Sequence, residues 1–158
     1  MQRLILGFIC AVVWTGTAGA ASPNDEIAAP IKQFIDNFNK GDAKAAAKTN
    51  VENGLVIIDE VAPFVWQGKD AFKAWNDDLA KHDKAQGVTD ELVTLSAATR
   101  VESEGNQAYA VVPAVYTFKQ KGVAMREVAQ MTFALRKGDH GWRIAGWTWT
   151  GPTPQPAQ

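Results

Sequence analysis

From Thr89 to Thr150 the chain reads in period two. Apolar and polar residues alternate over Leu92 to Glu102, Gln107 to Lys119, Val123 to Arg136 and Trp142 to Thr150. This is the pattern of long strands with one face on a core. Glu104-Gly105-Asn106, Gln120-Lys121-Gly122 and the segment from Lys137 to Gly141 separate them. Turns this short join antiparallel neighbours, so the four strands belong to one sheet. Pro113 lies inside the second strand and calls for a bulge or bend there.

Helical signals precede that sheet. Ser22 suits an N-cap, Pro23 the first helical position and Asp25 the third, close to a capping box. Ile27, Ile31, Phe34, Ile35 and Phe38 then form one apolar stripe. Pro30 interrupts it and predicts a kink or a later start. Gly41 ends the helix, and Asp42 caps a second short one from Ala43 to about Asn50. Leu55 to Asp59 is a continuous apolar run ending in an acid, read as a strand buried on both sides. Phe64 to Gln67 is a short second strand. Gly68 then opens a helix from Lys69 to about Gln86, with Phe72, Trp75, Leu79 and His82 on its apolar stripe. Helices segregated from strands define an α+β fold. Three helices cover only part of the concave face of a long bent sheet, which leaves a cone-shaped cavity.

The first residues read differently. Arg3, the apolar run Leu4 to Trp14 and the small residues ending at Ala18-Gly19-Ala20 describe a secretory signal peptide over 1–20. The run is too short to span a bilayer. The expected organisation is therefore a leader over 1–20, one domain over 22–150 and a disordered proline-rich tail over 151–158. The expected location is periplasmic or secreted, with no membrane attachment after cleavage. The single cysteine, Cys10, leaves with the leader, so no disulfide or thiolate site is expected. Net charge is −1, and losing Arg3 makes it one unit more negative. Lys and Arg are scattered, which argues against nucleic acid as a partner. Six tryptophans are many for 158 residues, and aromatic side chains line apolar pockets.

Several local motifs carry a family resemblance. They are the Phe38-to-Asp42 end of the first helix (Phe-x-x-Gly-Asp), the passage from Asp59 to Trp66-Gln67-Gly68-Lys69, and the strand start Gly141-Trp142-Arg143-Ile144. In their order and spacing the chain resembles the nuclear transport factor 2 superfamily, and within it the SnoaL-like branch. The resemblance implies three helices packed on a curved, mainly antiparallel sheet of about six strands enclosing an apolar cavity. It also implies frequent homodimers through the outer sheet face. Members include ketosteroid isomerases, dehydratases, polyketide cyclases and binding proteins, and fold alone does not choose among them.

Against the isomerases, the resemblance puts Asp59 at the position of the general base. It puts Phe34 where an oxyanion tyrosine would stand and Gln130 near a second, acidic oxyanion donor. Gly146 and Thr148 hold positions where many SnoaL-like proteins carry histidines. The expected cavity is aromatic and poor in proton-transfer groups.

Each candidate residue has two readings. Asp59 is a general base whose pKa rises beside Trp66 or Trp75, or a turn carboxylate. Glu60 points away and is solvated. His82 is an acid–base partner at the cavity mouth, or a helix-end residue favoured by the dipole. His140 is solvated in its turn. Trp147 and Trp149 share a face with Ala145 and contact ligand or pack the core; Trp75 and Tyr116 are alike in this. Trp142 and Ile144 take the opposite face, against a partner subunit. Arg126 and Gln130 share a face and recognise a polar group inside, or lie exposed. No metal-ligand spacing, nucleotide fingerprint or cofactor motif is present. Three functions stay open. One is a small apolar or aromatic ligand held without turnover. Another is an isomerase- or dehydratase-type enzyme with Asp59 as base. The third is a protein-interaction module using the outer sheet face.

Overall fold

A computed structural model describes residues 22–157. The predicted leader and Cys10 lie outside the described residues. In chain order the elements are α1 (Pro23–Asn39), α2 (Ala43–Ala47), β1 (Leu55–Ile58), β2 (Val65–Gly68), α3 (Ala71–Gln86), β3 (Val88–Leu95), β4 (Arg100–Glu104), β5 (Gln107–Gln120), β6 (Val123–Gly138), β7 (Gly141–Thr150) and β8 (Gln155–Pro156). The architecture is α+β, with three helices against one curved sheet. The sheet has eight strands rather than about six. Its order is β2-β1-β7-β6-β5-β3, with β4 also on β5 and β8 also on β6. All pairings are antiparallel except β1 with β7.

α1 begins with the full capping box: Ser22 Oγ accepts from the Asp25 N–H (3.2 Å), and Asp25 Oδ2 accepts from the Ser22 N–H (3.1 Å). The helix runs on through Pro30, so the later start suggested by that proline does not occur. α3 closes at Gly87, whose φ of 67° is the left-handed cap conformation that glycine adopts without strain.

Several strand expectations change. The run from Leu92 to Glu102 is two strands, β3 and β4, with a break over residues 96–99. Pro113 explains the break and needs no bulge: β5 keeps an unbroken register with β6 through it. Its carbonyl accepts from Ser96 N (2.9 Å) on the other edge, where the ring leaves no N–H to donate. β1 is buried on one face only. Leu55 and Ile57 face the helices, while Val56 (37% exposed) and Ile58 (44%) lie on the outer face.

β7 contains a bulge, because Ala134 pairs with Gly146 and Leu135 with Ile144. Ala145 is the extra residue, so the alternation changes phase there. Ile144 therefore points inward and is fully buried, not set against a partner. Trp147 still points inward two pairs further on. Finally, the proline-rich tail carries β8, which pairs at Met125 and Arg126 of β6. Among the described residues no helix is long and apolar enough to cross a membrane.

Candidate functional site

The concave face of the sheet and the helices enclose a cavity of about 60 Å³. Six aromatic side chains line it: Phe34 and Phe38 from α1, Trp75 from α3, Tyr116 from β5, and Trp147 and Trp149 from β7. They pack edge to face rather than in stacks around the centre. Trp75 meets Trp147 at 5.0 Å and 87°, Phe34 meets Trp147 at 5.5 Å, and Tyr116 meets Trp149 at 6.0 Å and 81°. Tilted and T-shaped contacts suit the ring quadrupole and hold the walls apart. The space exceeds that of a single water, so it admits water or a small ligand group.

The polar lining is acidic. Asp59 follows β1 directly, and its carboxylate is held at both oxygens. Trp75 Nε1 donates to Oδ2 (2.6 Å) and the Glu60 N–H to Oδ1 (2.7 Å). Burial raises its pKa, and the Trp75 and backbone hydrogen bonds oppose the rise. Glu60 is exposed as a residue, yet it lines the cavity and lies against Glu127 of β6. Burial, followed by the charges of Glu127 and Asp59, pushes Glu60 up to about 7.

Glu127 is only 1% exposed. Its Oε1 accepts from Trp149 Nε1 (2.9 Å), and Oε2 has no donor while both glutamates are ionised. A proton on Glu60 would be shared with the Glu127 carboxyl. Burial raises the pKa of Glu127 too, opposed by the hydrogen bonds from Trp149 and Glu60. A Cβ on Gly151 would overlap Glu127 Oε1, so the chain closes over this carboxyl only where there is no side chain. Behind Trp75 and Leu79 a recess of about 390 Å³ holds Asp83 and Glu91. Burial and then the charge of Glu91 push Asp83 to about 7. Tyr116 donates its hydroxyl to Glu91 Oε1 (2.6 Å).

The residues singled out from sequence fall into two groups. Phe34, Asp59, Trp75, Tyr116, Trp147 and Trp149 come together around the cavity. Trp66, His82 and Gln130 do not. Trp66 is buried, but it donates to Asp78 Oδ2 of α3 (3.0 Å) and is absent from the lining. His82 is exposed on α3, and its charge is the smallest of the influences on the Asp59 pKa. Gln130 is exposed on the outer face, because its parity on β6 is that of Arg126 and Val128.

Inward on β6 are Ala129, Met131, Phe133 and Leu135. Stepping that run back by two reaches Glu127, and an acid in a core slot is the signal that finds it. Glu60, expected to be solvated, is the second acid of the cavity wall. β6 thus carries one inward acid, three residues from Gln130.

With this geometry in view, the fold is that of the nuclear transport factor 2-like proteins. A ketosteroid isomerase-like protein from Erwinia carotovora atroseptica superimposes with TM-score 0.61 at 23% identity, covering 82% of this chain and 96% of that one. A nuclear transport factor 2-like superfamily protein from Salmonella enterica serovar Typhimurium gives 0.67 at 16%, covering 82% and 90%. A nuclear transport factor 2-like protein with a cystatin-like fold from Novosphingobium aromaticivorans gives 0.65 at 23%, covering 82% of each chain. At the level of sequence the chain belongs to the SnoaL-like domain family, whose profile matches residues 27–148. No curated protein matches it by sequence.

Proposed function

We propose that this domain binds a small, largely apolar molecule in the aromatic cavity, with the polar end of the molecule at Asp59 and Glu60. The observation that carries this reading is the lining itself: six rings and two carboxyl groups around unfilled space. Pockets for small molecules share this composition, apolar walls with few polar groups. Trp75, Trp147 and Trp149 all line the cavity, so tryptophan emission reports on it. Titration with a library of small apolar and aromatic compounds should give saturable emission changes, which Trp147→Phe diminishes. A flat response across the library would sink the reading.

A second reading has its own support. Asp59 is a buried carboxylate with a raised pKa, and Glu60 sits beside it with a pKa of about 7. One base and one half-protonated acid on the same cavity suit proton abstraction next to a carbonyl. Asp59 would take the C–H proton, and the Glu60 carboxyl would donate a hydrogen bond to the developing enolate oxygen. This reading predicts solvent-deuterium exchange into a bound ketone that Asp59→Asn abolishes. Exchange at an unchanged rate in that variant would exclude it.

Export and self-association belong to the same proposal. Export is supported by the pattern of residues 3–20 and is checked by N-terminal sequencing of the secreted protein. A homodimer through the outer sheet face is supported by the exposed Val56, Ile58 and Val128. Light scattering on the purified domain measures it.

A further inference from the structure

We propose that the molecule held in the aromatic cavity is an organic cation, with a head about the size of a quaternary ammonium group. This rests on the cavity being a ligand site, and it specifies the chemistry of what enters. Three independent features of the cavity point to it.

The first is the sign of the lining. Asp59 and Glu60 lie on the wall, and no Lys, Arg or His does. Glu127 stands against Glu60 in the layer behind. Asp83 of α3 and Glu91 of β3 border Trp75 in the neighbouring recess. The ion pairs of the domain lie elsewhere, and none involves Asp59, Glu60, Asp83, Glu91 or Glu127. Carboxyl groups from four parts of the chain thus converge, and the positive charge acting on Asp59 is that of His82, outside the lining. Such an arrangement is relieved either by protonation, as at Glu60, or by a positive charge that arrives from outside.

The second is the walls. Phe34, Trp75, Trp147 and Trp149 present π systems around a small volume. A cation within about 6 Å of such ring centres is attracted by their quadrupoles, most strongly where water is excluded. Methyl groups on the cation also gain from apolar contact, which a hydrated metal ion does not. The carboxyl groups themselves are spread out: among the described residues no three acids or histidines are placed to hold one metal ion.

The third is Glu127. It is 99% enclosed, since only 1% of it is exposed, and one of its oxygens lacks a donor when ionised. Glu60 hydrogen-bonds to the Glu127 carboxyl only while one of the two keeps a proton. A cation beside Asp59 and Glu60 would let the pair carry its negative charge. The size also agrees. The cavity exceeds the space of a single water, which leaves room for a small cationic head.

The test compares choline with its neutral isostere 3,3-dimethylbutan-1-ol, on the wild-type domain. The two molecules have the same shape and differ in one charge. Tryptophan emission and calorimetry should show choline binding about tenfold or more tighter. The preference should shrink in Glu60→Gln, which removes one cavity carboxyl while keeping its shape, and also as salt is added. Equal or tighter binding of the alcohol would overturn the cation inference while leaving the cavity as a ligand site. Binding of neither, with the cavity also silent to the neutral library, would remove both.

Discussion

Two tryptophan–carboxylate pairs frame the cavity, and they are built in opposite ways. In the Trp75–Asp59 pair the ring is the buried partner, and the carboxylate has a donor on each oxygen. In the Trp149–Glu127 pair the ring is half-buried, and the carboxylate is sealed in with a donor on one oxygen only. A carboxylate with both oxygens satisfied carries its charge at modest cost. One with an open oxygen needs a neighbour's proton. The same contact, indole N–H to carboxylate, thus serves a charged group in one place and a proton-sharing pair in the other.

The largest contrast should come from removing each ring. Trp75→Ala empties a fully packed position and should cost about 3–5 kcal/mol. Trp149→Ala, at a half-buried ring, should cost clearly less in the same denaturant titration. Next comes Gly151→Ala, whose new methyl overlaps Glu127 Oε1. Overpacking there should cost about 1–3 kcal/mol, and pairing it with Glu127→Ala should recover part of the loss.

The amide substitutions divide the two carboxylates directly. Asp59→Asn must turn an NH₂ toward one of two donors, so it should lose about 1–3 kcal/mol. Glu127→Gln keeps an acceptor for Trp149 and removes a like charge, so it should lose less than Asp59→Asn in the same titration. Equal losses at the two sites would break the comparison.

The last expected effect is in pH. Glu60 rises from 4.5 to about 7 on folding, and Asp83 from 3.8 to about 7. Between those values the folded state holds more protons than the unfolded state. Stability is therefore gained below the unfolded pKa and falls as pH rises through about 7. Tm should be higher at pH 5 than at pH 8, and Glu60→Gln should flatten the slope. A Tm that climbs from pH 5 to 8 in wild type would contradict the buried acid pair.

Much of this arrangement is written locally. The capping residues Ser22 and Asp25, the stripe through Phe34 and the alternation after Thr89 each act over a few residues, so they can be read without the fold. The position of Asp59 at a strand end and the convergence of Trp75, Trp147 and Trp149 follow from those elements. What escaped has non-local causes. The break between β3 and β4 is set by Pro113 on the strand opposite, where a carbonyl stands without its N–H. The inward turn of Ile144 depends on which residues of β6 it pairs with. The acidity of Glu60 arises only when β6 brings Glu127 alongside. His82 continues the stripe of α3 in sequence, but the surface it would cover ends before it.

Ala145 has a consequence for engineering. It is the one unpaired residue of β7, so deleting it would leave Ile144 and Trp147 facing the interior, now in regular alternation. What would be lost is the local bend that a bulge imposes. The inventory of the chamber would be unchanged while its aperture altered. A residue outside the lining thus acts as a calibration screw for the chamber, and shortening the chain by this single alanine separates what the walls are made of from how far apart they stand.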